Sequence, residues 1–171
     1  MANDETDDKI RKMRNGNALI RKARSEALEW LIAIDQILNA IIAEYFVKDG
    51  YRRQLLQHEI LTRDFFSTSQ KIRILGDLEI PRGIQFRKHH GTLLRQLERL
   101  VSWRNMLAHG LPISLPEGAR VWINRGGLKP VQISESLVEE METVYESAFD
   151  SLGELYSRQI SRKKHTSRHR K

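Results

Sequence analysis

Ala27, Leu31, Ile34, Leu38, Ile41 and Tyr45 recur at alternating spacings of four and three, which places them on one stripe of a single long helix. Ile37 and Ile42 widen that stripe. A helix with so broad an apolar face must bury it against other elements, and because the segments that follow are mostly patterned as helices too, an all-α chain is expected. The same stretch is interrupted by Asp35, Gln36, Asn39 and Glu44, so it does not suit a membrane span of about 20 apolar residues.

Further along, the pattern predicts about four more helices. Asp49-Gly50 breaks the first, and helical spacing resumes from Tyr51 to Phe66 through Leu55, Leu56, Ile60 and Phe65. Ser67-Thr68-Ser69-Gln70 resembles a capping box that opens a short helix with Ile72, Leu75 and Leu78 inward, closed by Pro81 and Gly83. The next helix runs from about Phe86 to Ala108 and stops at Gly110, a residue suited to the left-handed position past a helix end, with Pro112 beyond. Val121-Trp122-Ile123 and Val131-Gln132-Ile133 flank a Gly-rich turn and read as a β-hairpin within 119–133, Pro130 confining the second strand to an edge. The last helix starts at Ser134 or Ser136, where Ser136 with Glu139 forms a capping box. It buries Leu137, Met141, Val144, Ala148, Leu152 and Leu155. The expectation is a helical bundle of about five helices with a small β-hairpin before the last. Residues 1–16 form a flexible lead-in, 17–157 the bundle and 158–171 a basic tail.

Composition narrows the chemistry. At 171 residues and 40% hydrophobic content, one well-buried core is expected. The absence of cysteine excludes disulfides, zinc–thiolate sites and thiol nucleophiles. Asp4, Glu5, Asp7 and Asp8 are the reverse of the basic start of a secretory signal, so a cytoplasmic protein is expected, with no membrane partner. From Arg158 onward the chain holds seven cations and no acid, which equals its whole net charge of +7. Arg162, Lys163, Lys164, Arg168 and Arg170 are thus the expected contacts to a polyanion such as nucleic acid, with a solvated solubilising end as the alternative. Arg11, Lys12, Arg14, Arg21, Lys22 and Arg24 read instead as a solvated helix face. His89-His90 diverge on a helix, and His165 and His169 sit among cations, so neither pair predicts a metal site. Arg125-Gly126-Gly127 is a turn, no phosphate-loop spacing occurs, and no cofactor is expected.

One residue is in the wrong place. Uniform rotation of the fourth helix gathers Leu93, Leu97, Leu100, Val101, Leu107 and Ala108 on one face, with Arg104 in its middle. A buried guanidinium must reach a carboxylate, snorkel out, or line a surface kept for a partner or substrate. Asp35 or Glu29 could be such a carboxylate. Asn105 and His109 are four apart and share a side of the helix, where Arg104 can swing to meet them. His109 lies in the last turn, where the helix dipole favours an imidazolium suited to proton transfer, although a histidine before glycine also simply ends a helix.

Trp103-Arg104-Asn105-Met106-Leu107-Ala108-His109-Gly110 resembles the signature of HEPN domains in its Arg-Asn-x-x-x-His form, and the helix order extends the resemblance over roughly residues 18 to 157. The resemblance implies a small all-α homodimer, often a toxin or phage-defence component with a cognate antitoxin or other regulatory protein, that cleaves RNA without a metal. Its two motifs would meet across a two-fold axis, so that the stripe carrying Arg104 could be interface. It further implies that Arg104 binds the scissile phosphate, His109 is the acid or base, and Asn105 orients a phosphate oxygen or the imidazole. A further polar or acidic residue from an earlier helix is unassigned, with Asp35 as a guess. The rival expectation is a non-catalytic helical dimer that binds RNA, a nucleotide or a partner protein.

Overall fold

The computed structural model describes residues 2–63, 66–80, 84–124 and 128–168. Among these, six α-helices carry the fold: α1 (Ala2–Phe46), α2 (Gly50–Leu55), α3 (Thr68–Asp77), α4 (Phe86–His89), α5 (Gly91–His109) and α6 (Glu135–Arg168). A π-helical turn, Leu56–Ile60, follows α2. Five short strands complete it: β1 (Glu79–Ile80), β2 (Ile84–Gln85), β3 (Leu111–Leu115), β4 (Gly118–Asn124) and β5 (Leu128–Ile133). The mainly-α expectation holds, with one helix and three strands more than the periodicity suggests. No helix among the described residues is long and apolar enough to cross a membrane.

Instead of a single core, the chain forms two compact units, Met1–Trp30 with Leu100–Val144, and Leu31–Arg99 with Tyr145–Lys171. Helices α1, α5 and α6 each supply residues to both units, so neither is a separable stretch of chain.

In the first unit, Ile20, Ala23 and Ala27 of α1 pack with Leu107 of α5, Ala119 and Val121 of β4, Ile133 of β5, and Val138 and Met141 of α6. The strands form one antiparallel sheet in the order β3-β4-β5. The expected hairpin is its β4–β5 half, with Val121 opposite Val131 and Ala119 opposite Ile133. The third strand escapes the sequence pattern because Pro112 lies within it. β3 pairs only with β4, so Pro112 occupies an edge, as Pro130 does on β5. The Gly-rich turn at 125–127 lies outside the described residues.

The irregular lead-in expected over residues 1–16 is instead the start of α1. Its polar surface is knitted by pairs one turn apart, Lys9 with Glu5 and Arg11 and Lys12 with Asp8, each at 2.7 Å. Hydrogen bonding from Lys12, then Arg11, holds the Asp8 carboxyl below its ordinary range. Gly16 serves close packing: a Cβ there would lie 2.3 Å from Ser114 Oγ of β3. That hydroxyl donates to the Met13 carbonyl at 2.7 Å.

In the second unit, Arg53 on α2 pairs with the buried Glu44 and donates to the carbonyls of Val47 (3.3 Å) and Lys48 (3.0 Å), closing the end of α1. Asp49 caps α2 through the Arg52 N–H at 2.8 Å. The helix expected to reach Phe66 passes at Leu56 into the π-helical turn, and Leu61 N–H donates five residues back to the Leu56 carbonyl. Phe65 lies outside the described residues. The capping box on α3 is present, with Ser67 N–H to Gln70 Oε1 at 2.8 Å and Gln70 N–H to Ser67 Oγ at 3.3 Å. The fourth expected helix is divided at His90, whose backbone leaves the helical region just before Gly91. At the start of α6, the cap is Ser134, whose Oγ accepts from Leu137 N–H, rather than Ser136.

His90 stacks on Phe86, ring centroids 4.3 Å apart. Burial, then the neighbouring charges of His89 and Arg158, hold its imidazole below the usual value of 6.5. The folded state therefore favours the neutral ring. Unfolding free energy is expected to fall as pH decreases from about 6.5 toward the depressed value, because the unfolded chain takes up the proton first. Urea unfolding at closely spaced pH values checks this, and His90→Gln should flatten the slope.

Candidate functional site

The motif residues lie on the last two turns of α5, in the first unit. Uniform rotation places Arg104 at the centre of the apolar face, but the buried face turns as the helix advances. Leu93, Leu94, Leu97, Leu100 and Val101 are buried along the first half. Over the last turns the core contacts come from Trp103, Met106 and Leu107. These three centre roughly 100° or more away from the earlier face. Ala108, expected to be inward, is exposed. Arg104 and Asn105 are left half-buried at the margin, and His109 stands exposed.

Arg104 Nη1 donates to Asn105 Oδ1 at 3.1 Å. Its Nε is buried and has no acceptor. No carboxylate among the described residues pairs with this guanidinium. Asp35, one candidate partner, accepts from Lys71 Nζ at 2.6 Å and Thr68 Oγ1 at 2.9 Å, within the second unit. Glu29, the other, is exposed and accepts from Ser25 Oγ at 3.3 Å. The site thus offers a partly desolvated cation with donors to spare, which suits a phosphate oxygen. Asn105 is brought to Arg104. The His109 ring is in hydrogen-bonding contact with neither, and it makes no hydrogen bond to the described residues.

A residue read as part of a solvated basic face supports the end of the motif helix. Arg24 of α1 donates from Nε to the Leu107 carbonyl at 2.6 Å and from Nη2 to the Gly110 carbonyl at 2.8 Å. It satisfies two backbone acceptors on either side of His109 and sets a cation at the negative end of α5. Nothing in the sequence of α1 distinguishes Arg24 from Arg21 or Lys22, since only the approach of α5 selects it. Arg24→Met is expected to lower unfolding free energy by about 2 kcal/mol, read by urea unfolding at constant m-value. Arg24→Lys should recover only part, since an ammonium cannot reach both carbonyls in a fixed fork.

Gly110 ends α5 for a reason other than the one expected. Its φ is not positive, the only such glycine among those described being Gly118. A Cβ on Gly110 would lie 2.1 Å from Val121 Cγ1 and 2.5 Å from the Met106 carbonyl oxygen. The residue lets β4 close against the helix end. Of the tail cations, Arg170 and the side chains of Arg162, Lys163, Lys164 and Arg168 lie outside the described residues. No cluster of three His, Asp or Glu side chains with metal-binding geometry occurs among the described residues.

Comparison with protein-family models, curated proteins and solved structures finds no match for this chain.

Proposed function

We propose that the chain is a metal-independent RNA endonuclease of the HEPN type, working as a homodimer in the cytoplasm, with Arg104 and His109 as its reacting pair. One observation carries the reading: Arg104 is half-buried, unmatched by a carboxylate among the described residues and left with an unsatisfied Nε–H, on the same helix end as an exposed, unengaged His109. A buried donor without a partner costs about 1–3 kcal/mol, so the guanidinium is held here against stability, and a phosphate oxygen would be met by its terminal nitrogens rather than by the enclosed Nε.

In the reaction, His109 takes the proton of a ribose 2′-hydroxyl. The 2′-oxygen attacks the adjacent phosphorus, the bond to the 5′-oxygen breaks, and that oxygen takes a proton from water while His109 returns its own to the solvent. The ends are a 2′,3′-cyclic phosphate and a 5′-hydroxyl. Arg104 steadies the charge gathering on the non-bridging oxygens, and Asn105 holds the guanidinium in position. Two copies would bring two motifs to one phosphate. A toxin or phage-defence role, with an antitoxin or regulator as partner, accompanies this reading.

Purified protein should cut RNA in the presence of a chelator, leave cyclic phosphate ends and spare DNA, which lacks the attacking hydroxyl. Cutting that needs added magnesium would refute the mechanism. Deleting residues 158–171 should weaken RNA affinity and reduce the slope of log affinity against log salt by about 0.7 for each phosphate that the tail neutralises, measured by titrating salt against fluorescence anisotropy.

A further inference from the structure

The two faces of the β3-β4-β5 sheet differ in chemistry. Ala119, Val121 and Ile133 are buried in the core of the first unit, so the residues between them on β4 and β5 point the other way. Register sets Leu111, Trp122 and Pro130 in one row across the three strands, and Ile113, Arg120 and Gln132 in the next. Leu111 is 62% exposed, and Pro130 and Gln132 are exposed as well. At the centre, Trp122 is half-buried, and its indole Nε1 is shielded from water with no acceptor. Such an N–H ordinarily has one.

This row starts beside the candidate site. Leu111 opens β3 two residues after His109. Two residues span at most about 7 Å, and a paired strand lies about 5 Å away, so the backbones of His109 and Trp122 are within about 12 Å. Charge favours a polyanion: of the six residues in these two rows Arg120 alone is charged, and none is acidic. A flat indole with an arginine on the adjoining row of the same face matches a nucleobase and its phosphate.

We propose that the outer face of this sheet is a stacking platform for single-stranded RNA, with a base on Trp122 and the neighbouring phosphate on Arg120, holding the strand beside His109. This takes its ligand class from the RNA reading above but does not require cleavage. The probe is a short, fluorescein-labelled 2′-O-methyl oligonucleotide of mixed sequence, which cannot undergo 2′-attack. Wild-type protein and Trp122→Tyr should bind it alike within about threefold. Trp122→Leu, which keeps an apolar side chain but no aromatic face, should bind about tenfold or more weakly. Arg120→Gln, at a half-exposed position that spares the core, should reduce the salt slope by about 0.7.

Equal affinity of Trp122→Leu and wild type, an unchanged slope in Arg120→Gln, or no binding by wild type would each overturn the platform. So would a change in solution mass of Trp122→Leu at unchanged affinity, which would make this face a contact between protein chains. Trp122-dependent binding with ordinary RNA left uncut would keep the platform and remove the nuclease. Cutting that persists with Trp122-independent affinity would do the reverse.

Discussion

Arg104→Ala and His109→Ala are each expected to lower RNA cleavage about a thousandfold while leaving the fold intact. The magnitude follows from what each group supplies, since a positioned acid or base contributes about 10²–10⁴ and a charge-stabilising donor about 10²–10³. Stability should scarcely move. His109 is exposed and makes no hydrogen bond to the described residues, and substitutions at such positions fall within about 0.5 kcal/mol. Arg104 has a buried Nε without an acceptor, so its removal also relieves a cost. Asn105→Ala, which frees Arg104 Nη1 from its 3.1 Å hydrogen bond, should reduce cutting by about tenfold. The measurements are single-turnover cleavage of a labelled RNA and thermal unfolding of the same preparations. Wild-type rates in both alanine variants would remove the proposed chemistry. Unfolded variants would show that Arg104 is structural.

Gly110→Ala should be the most destabilising conservative change in the first unit, costing about 3 kcal/mol. Where the backbone conformation suits both residues, alanine is favoured over glycine by about 0.4–1 kcal/mol through the unfolded chain, and the φ at Gly110 is not positive. The sign therefore depends on packing alone. The new methyl would meet Val121 Cγ1 at 2.1 Å, the Met106 carbonyl oxygen at 2.5 Å and the Trp122 carbonyl oxygen at 3.2 Å. Two of these are backbone, which cannot rotate away, and Val121 is fully buried, so relief requires the strand to move from the helix. A displaced β4 would shift the end of α5, and cleavage should fall together with stability. Urea unfolding at equal m-value tests the first effect, and a stabilised alanine variant would show that the close approach is absent in solution.

Much of the candidate site was legible because it is local. Arg104, Asn105 and His109 share one helix, and spacing alone places them within two turns of each other, although the structure joins only Arg104 and Asn105 by a hydrogen bond. The same reasoning misplaces Arg104 and Ala108, because a uniform rotation assumes one packing partner along the whole helix. α5 instead buries one face up to Val101 and another from Trp103 to Leu107. The roles of Arg24 and Lys71 are hidden for a related cause. Lys71 is 2% exposed and balanced by Asp35 at 2.6 Å, a pairing across 36 positions of chain that no spacing rule contains.

What the sequence by itself determined is the helical class, the cap at Ser67, the β4–β5 hairpin and the placing of Arg104, Asn105 and His109 on one helix, since each follows from interactions among residues a few positions apart. Tertiary structure alone decided that the core would divide in two, that Leu111–Leu115 would become a third strand, that Gly16 and Gly110 would be points of close approach, and that one arginine would secure the motif helix while another would keep a free donor. Those outcomes depend on which surfaces meet across distant parts of the chain. Periodicity records that a face must be covered, and carries no information about what covers it.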